Sequence, residues 1–120
     1  MGKLNEKERL FISDRYFEAA NSARQAADGT NTNYAKQNFE RQATLLALVG
    51  KAVLAPEMYL RWMRLKAAKQ LTSDAYSIEE KLITTGTSDE NRVSEEKVIE
   101  LLMEVAAELL DNTGEGGEPI

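Results

Sequence analysis

Apolar residues recur along this chain at spacings of three and four, the period of a helix with one buried face, and β-branched alternation is missing. The first segment predicts a helix from about Asn5 to Ala27. Ile12, Tyr16, Ala19, Ala23 and Ala26 form one stripe on it, while Leu10 and Phe17 form a second, narrower one. Two stripes imply two neighbours, and the Ala-rich end lets another helix come close. Asp28 to Asn33 reads as a loop, because Gly and Asn tolerate positive φ and short polar side chains satisfy turn amides.

A second helix, over about 34–54, is expected at the centre of the core. Between Ala43 and Ala55 only Thr44, Gly50 and Lys51 interrupt the apolar residues, and a helix apolar nearly all round is normally buried. Ala43, Ala47 and Gly50 share one side. A helical Gly costs about 1 kcal/mol relative to Ala, so close packing is the expected reason for Gly50. Pro56 ends this helix and suits the first position of a third, over about 56–71, with Leu60, Met63, Ala67 and Leu71 on one face.

Ser77 and Glu80 have capping-box spacing and Gly86 stands where a helix stops, so a short helix is expected over 77–85. A polar connection over 87–92 follows. The last helix should start near Ser94, with Glu95 and Glu96 in its first turn, and run to about Leu110. Asn112 to Ile120 reads as a disordered acidic tail. The expected fold is all-α, a single bundle of four main helices plus one short helix over 1–111, with a flexible tail over 112–120.

Composition narrows the chemistry. With 120 residues the chain fits one domain and can bury a core without a disulfide or a metal. It contains no Cys and no His, which removes thiol nucleophiles, Cys/His zinc sites, haem ligation and the usual near-neutral acid–base group. Gly114, Gly116 and Gly117 have no strand before them and no helix after, so they form no phosphate loop. No enzyme activity, cofactor, metal or small-molecule substrate is expected. No apolar run reaches the ~18 residues of a membrane span and no basic-then-apolar leader opens the chain. The expectation is a cytoplasmic protein.

The net charge of −5 hides a division. Residues 1–70 hold twelve Lys/Arg against seven Asp/Glu, whereas residues 71–120 hold three against thirteen. Different partners for the two halves, or neutralisation of one by the other, would account for it.

Two segments carry candidate interfaces. On the last helix Val98, Leu102, Val105 and Leu109 form one apolar row, with Ile99, Met103, Ala106 and Leu110 beside it. That face is wider than one side of a small bundle needs. It is therefore a candidate surface for a protein partner or a second copy, unless it is ordinary core. Opposite it run Glu96, Glu100, Glu104 and Glu108, four residues apart, which are either solvated or docked on a basic surface such as the 61–69 segment. The expected contacts are Leu102, Met103, Val105 and Leu109 for apolar packing, with Glu100 and Glu104 for charge. The second segment, Arg61 to Lys69, carries four positive charges in nine residues. Arg61, Arg64, Lys66 and Lys69 suit phosphates, and Trp62 suits stacking on a base, unless it is buried beneath Lys and Arg stems.

Leu4, Lys7, Phe11 and Tyr16, then Asn21, Ala26-Ala27, Gly29 and a second helix from Tyr34, form a pattern of their own. In this the first fifty residues resemble the N-terminal helix-turn-helix region of small terminase subunits from tailed phages. Tyr16 sits one position away from its place in that pattern, the Ala stretch is one residue longer, and the turn lacks the usual Gly-Tyr pair. The resemblance implies a ring-forming, DNA-recognising packaging component without catalytic residues, acting in a host cytoplasm. Lys36, Gln37 and Arg41 would then face DNA. The leading expectation is a non-enzymatic helical protein–protein interaction module that also self-associates, an adaptor, assembly chaperone or inhibitor. DNA binding through the basic N-terminal portion is the alternative.

Overall fold

A computed structural model describes residues 4–85 and 89–115 of the chain. Among these residues there are four α-helices, α1 Glu6–Asp28, α2 Asn33–Leu54, α3 Arg61–Thr85 and α4 Asp89–Glu115, with one 3-10 turn at Pro56–Met58. They form two antiparallel hairpins, α1 with α2 and α3 with α4, packed on one another.

The ends of α1 and α2 follow from local chemistry. Asn5 caps α1 reciprocally: its Oδ1 accepts from the Glu8 amide at 2.8 Å, and its own amide donates to Glu8 Oε1 at 3.1 Å. The helix closes on Gly29, whose N–H reaches the carbonyls of Gln25 and Ala26. Gly29 has φ −91°, so the left-handed freedom expected of this glycine is not used. Thr32 caps α2 through its hydroxyl, which accepts from the Ala35 amide.

The core lies between the hairpins. Ile12 and Tyr16 of α1, Val49, Ala52 and Val53 of α2, Ala67, Leu71 and Ala75 of α3, and Leu102, Val105 and Leu109 of α4 meet there. The α1 stripe is shifted by one residue towards its end, with Ala20 and Ala27 buried in place of Ala19 and Ala26. Contrary to expectation, α2 is not buried all round. Leu45, Leu46, Ala47 and Leu48 are half-buried and Leu54 is exposed, and the core is lined by all four helices, most heavily by α4. Gly50 does mark a close approach. A Cβ there would stand 3.0 Å from the Phe17 ring, and the Gly50 carbonyl accepts from the buried Ser13 hydroxyl at 3.0 Å.

The largest departure from the sequence reading is α3. Pro56 opens the 3-10 turn and not a helix. The segment 72–76, expected to separate a helix over 56–71 from a short one over 77–85, continues a single helix. Its polar residues are held by partners. Thr72 Oγ1 donates to the Ala68 carbonyl at 2.9 Å, Asp74 accepts from Gln70 and from the Tyr16 hydroxyl, and Ala75 is buried. Ser77 and Glu80 thus lie inside a helix and cap nothing. Gly86, expected as a stop, and residues 87–88 of the connection lie outside the described residues. At the other end α4 begins at Asp89 and runs through residues 112–115, which were expected in the tail; 116–120 lie outside the description.

The packing also corrects one expected interface. Leu102, Val105 and Leu109 are wholly buried, with 0% exposure, against the other three helices. They are core residues and form no surface for a partner.

Tyr16 links α1 to α3 with a pH consequence. Its hydroxyl donates to Asp74 Oδ2 at 2.5 Å, and Asp74 Oδ1 accepts from Gln70 at 2.9 Å. Burial first, then the bond to Asp74, raise the Tyr16 phenol far above its ordinary pKa of 10.0. A group raised on folding contributes its full stability below its unfolded pKa and loses it as pH climbs towards the folded one. Urea melts should therefore show stability falling above about pH 10, and Tyr16→Phe should flatten that fall while lowering stability at neutral pH. An equally steep alkaline fall in Tyr16→Phe would assign it to other groups.

Candidate functional site

Two grooves on the surface carry the candidate residues. One lies between α2 and the start of α3. Gln37, Arg41, Leu45 and Leu48 stand on successive turns of α2, and Trp62 and Lys66 are one turn apart on α3. With Glu40 they line a groove of about 690 Å³. Trp62 is 57% exposed, so the reading in which it is buried beneath cationic stems does not hold.

The structure thus brings together four of the eight residues expected to contact nucleic acid: Gln37, Arg41, Trp62 and Lys66. Lys36 and Arg61 are exposed but do not line the groove, and Lys69 faces a different one. Arg64 is a correction. It points inward, 7% exposed, and its guanidinium donates to the Tyr59 carbonyl, fixing the turn that precedes α3. It is not available to a phosphate.

The second groove runs along the outer face of α3, where Leu65, Lys69, Thr72, Tyr76, Glu79 and Ile83 recur every three or four residues, with Leu110 of α4 beside them. It encloses about 780 Å³. Tyr76 is 63% exposed, Ile83 75%, Leu110 46% and Leu65 39%. Large apolar residues placed together in solvent mark an interaction surface more often than residues scattered singly. This row was legible only as spacing, and the break expected over 72–76 hid it.

The acidic row of α4 is divided among several environments. Glu108 is held by Arg9 of α1 in a bidentate pair, with N–O distances of 2.6 and 2.7 Å, and Arg9 also donates to the Val53 carbonyl at 2.9 Å. The bond to Glu108 raises the already high Arg9 pKa. Glu100 pairs with Lys97 at 3.0 Å, and that bond raises the Lys97 pKa; Glu8 lies 4.0 Å from Lys97 on its other side. Glu104 is half-buried and Glu96 is exposed. The basic surface that meets Glu108 is therefore α1 and not the 61–69 segment. Of the expected interface, Met103 and Glu100 remain exposed.

Among the described residues no three of His, Cys, Asp and Glu converge as metal ligands, and no helix is long and apolar enough to cross a membrane. The buried Tyr16 phenol keeps its proton through the neutral range and, bonded to Asp74, serves as a strut between helices. Comparison with protein-family models, with curated proteins and with solved structures finds no match to this chain.

Proposed function

We propose that the chain is a non-catalytic helical interaction module that works in the cytoplasm by binding protein, a second copy of itself included, through the outer face of α3 and the end of α4. The observation that carries this reading is the row of Leu65, Tyr76 and Ile83, exposed together with Leu110 around one groove. Burying such side chains gains roughly 25 cal/mol per Å² of apolar surface, a gain the isolated chain forgoes at this face. An adaptor, an assembly chaperone or an inhibitor would use the face in the same way.

Sedimentation velocity over a rising concentration series tests the self-associating form. The weight-average mass should climb above the 13.4 kDa of one chain, and Ile83→Ser should hold it near that value. A wild-type mass that stays at one chain throughout the micromolar range would sink that form.

A second reading rests on the α2–α3 groove, where an exposed Trp62 stands beside Arg41 and Lys66. Cations flanking an aromatic face suit a nucleic-acid strand, and the resemblance to small terminase subunits belongs to this reading. Trp62 is the only Trp in the chain, so its fluorescence reports the groove directly. Titration with single- and double-stranded DNA at low and near-physiological salt should quench it, with affinity falling steeply as salt rises and lost in Arg41→Glu. No quenching at low salt would remove this reading and leave the first.

A further inference from the structure

The outer face of α3 is complementary to itself. Its positions 65, 69, 72, 76, 79 and 83 alternate spacings of four and three, which keeps a row of side chains in register along a seam between two helices. Read in reverse, the row matches itself in kind. Leu65 falls opposite Ile83, Lys69 opposite Glu79, and Thr72 opposite Tyr76, about a centre level with residue 74.

We propose that a second copy of this chain docks on this face, α3 against α3 and antiparallel, about a two-fold axis near residue 74. The proposal rests on the self-association reading above and specifies its geometry. In such an isologous contact each pair occurs twice. Leu65 and Ile83 close the two ends with apolar contact. Lys69 meets Glu79 of the second copy inside them, and the small Thr72 receives the large Tyr76 beside the axis. Among the described residues no ion pair within the chain occupies Lys69 or Glu79, so these charges need not give up an existing partner. Leu110, beside the Leu65 end, adds a contact from α4.

Charge also sets the direction. A parallel pairing in the same register would place Lys69 on Lys69 and Glu79 on Glu79, and like charges across a seam oppose association. The seam is about 27 Å long at 1.5 Å per residue, which suits a reversible dimer in exchange with monomer.

Exchanging the charges tests the geometry. Lys69→Glu leaves both inner seam positions acidic and Glu79→Lys leaves both basic, so each variant alone should self-associate about tenfold more weakly than wild type. Their equimolar mixture should recover the wild-type affinity as a heterodimer, and the double variant K69E/E79K should recover it as a homodimer. Both side chains are exposed, and circular dichroism checks that the helices persist. Recovery by exchange is not expected from a variant that merely weakens the fold. If wild type associates but all three variants match it, this seam is overturned while self-association stands. If wild type remains a monomer throughout, the self-association reading falls and the seam with it. The chain lacks Cys, so a Thr72→Cys chain mixed with a Tyr76→Cys chain gives a second readout. A short bis-maleimide should join them to each other in preference to joining like with like, and equal yields would overturn the two-fold placement.

Discussion

Leu102→Ala lowers the free energy of unfolding by about 2–5 kcal/mol, the range found when a buried Leu is cut back in a packed core. Leu102 has no exposed surface and lies in the core cluster to which Ile12, Val53 and Leu71 of the other three helices also belong. A domain of this size typically has about 5–15 kcal/mol in total, so the loss is a large fraction of its stability. Urea melts followed by circular dichroism should show the midpoint falling with little change in slope. Leu102→Asp should be worse, because a carboxylate there has neither solvent nor a partner, and the chain should not fold. Loss of assembly in that variant would report the core and not an interface. A midpoint within experimental error of wild type for Leu102→Ala would contradict the burial.

The second large effect belongs to Arg9, which ties three helices together. Its guanidinium holds both oxygens of Glu108 on α4 and reaches the Val53 carbonyl in the last turn of α2, where cations are favoured. Charge-assisted bonds of this kind contribute about 1.5–3 kcal/mol. Solvent reaches both side chains, which are 20% and 26% exposed, so a coupling around the bottom of that range, about 1–2 kcal/mol, is expected. A double-mutant cycle of Arg9→Met and Glu108→Gln measures it. Arg9→Met should cost more than Glu108→Gln, because it also strips the Val53 carbonyl of its partner. Additive single effects would show that the clamp does not hold α1 to α4.

How far the site was legible depends on the range of the forces involved. Gln37, Arg41, Trp62 and Lys66 could be named as residue types suited to phosphates and bases, yet they lie on two helices, and only the packing of α2 beside α3 makes them one groove. Arg64 has the same composition signal as Lys66 two residues on, and the two point in opposite directions. The capping-box spacing of Ser77 and Glu80 suggested a new helix start and so a break over 72–76. Tyr16, from 58 residues away, supplies the bond to Asp74 that helps make the helix continuous. Tertiary contacts routinely override a propensity difference of a few tenths of a kcal/mol per residue.

By itself the amino-acid sequence determined the all-α fold class, where α1 and α2 start, and that Gly50 needs a close neighbour. It also determined which catalytic groups, Cys and His, are missing. Each of these is set by residue identity or by contacts within about one helical turn, and the 3.6-residue period records them directly. The tertiary structure decided which face of α4 is core, which acids are paired, and that α3 is one helix with an unburied seam. Two equally apolar rows on a helix differ only in what stands opposite them. That depends on residues far away in the chain, whose arrival no local spacing encodes.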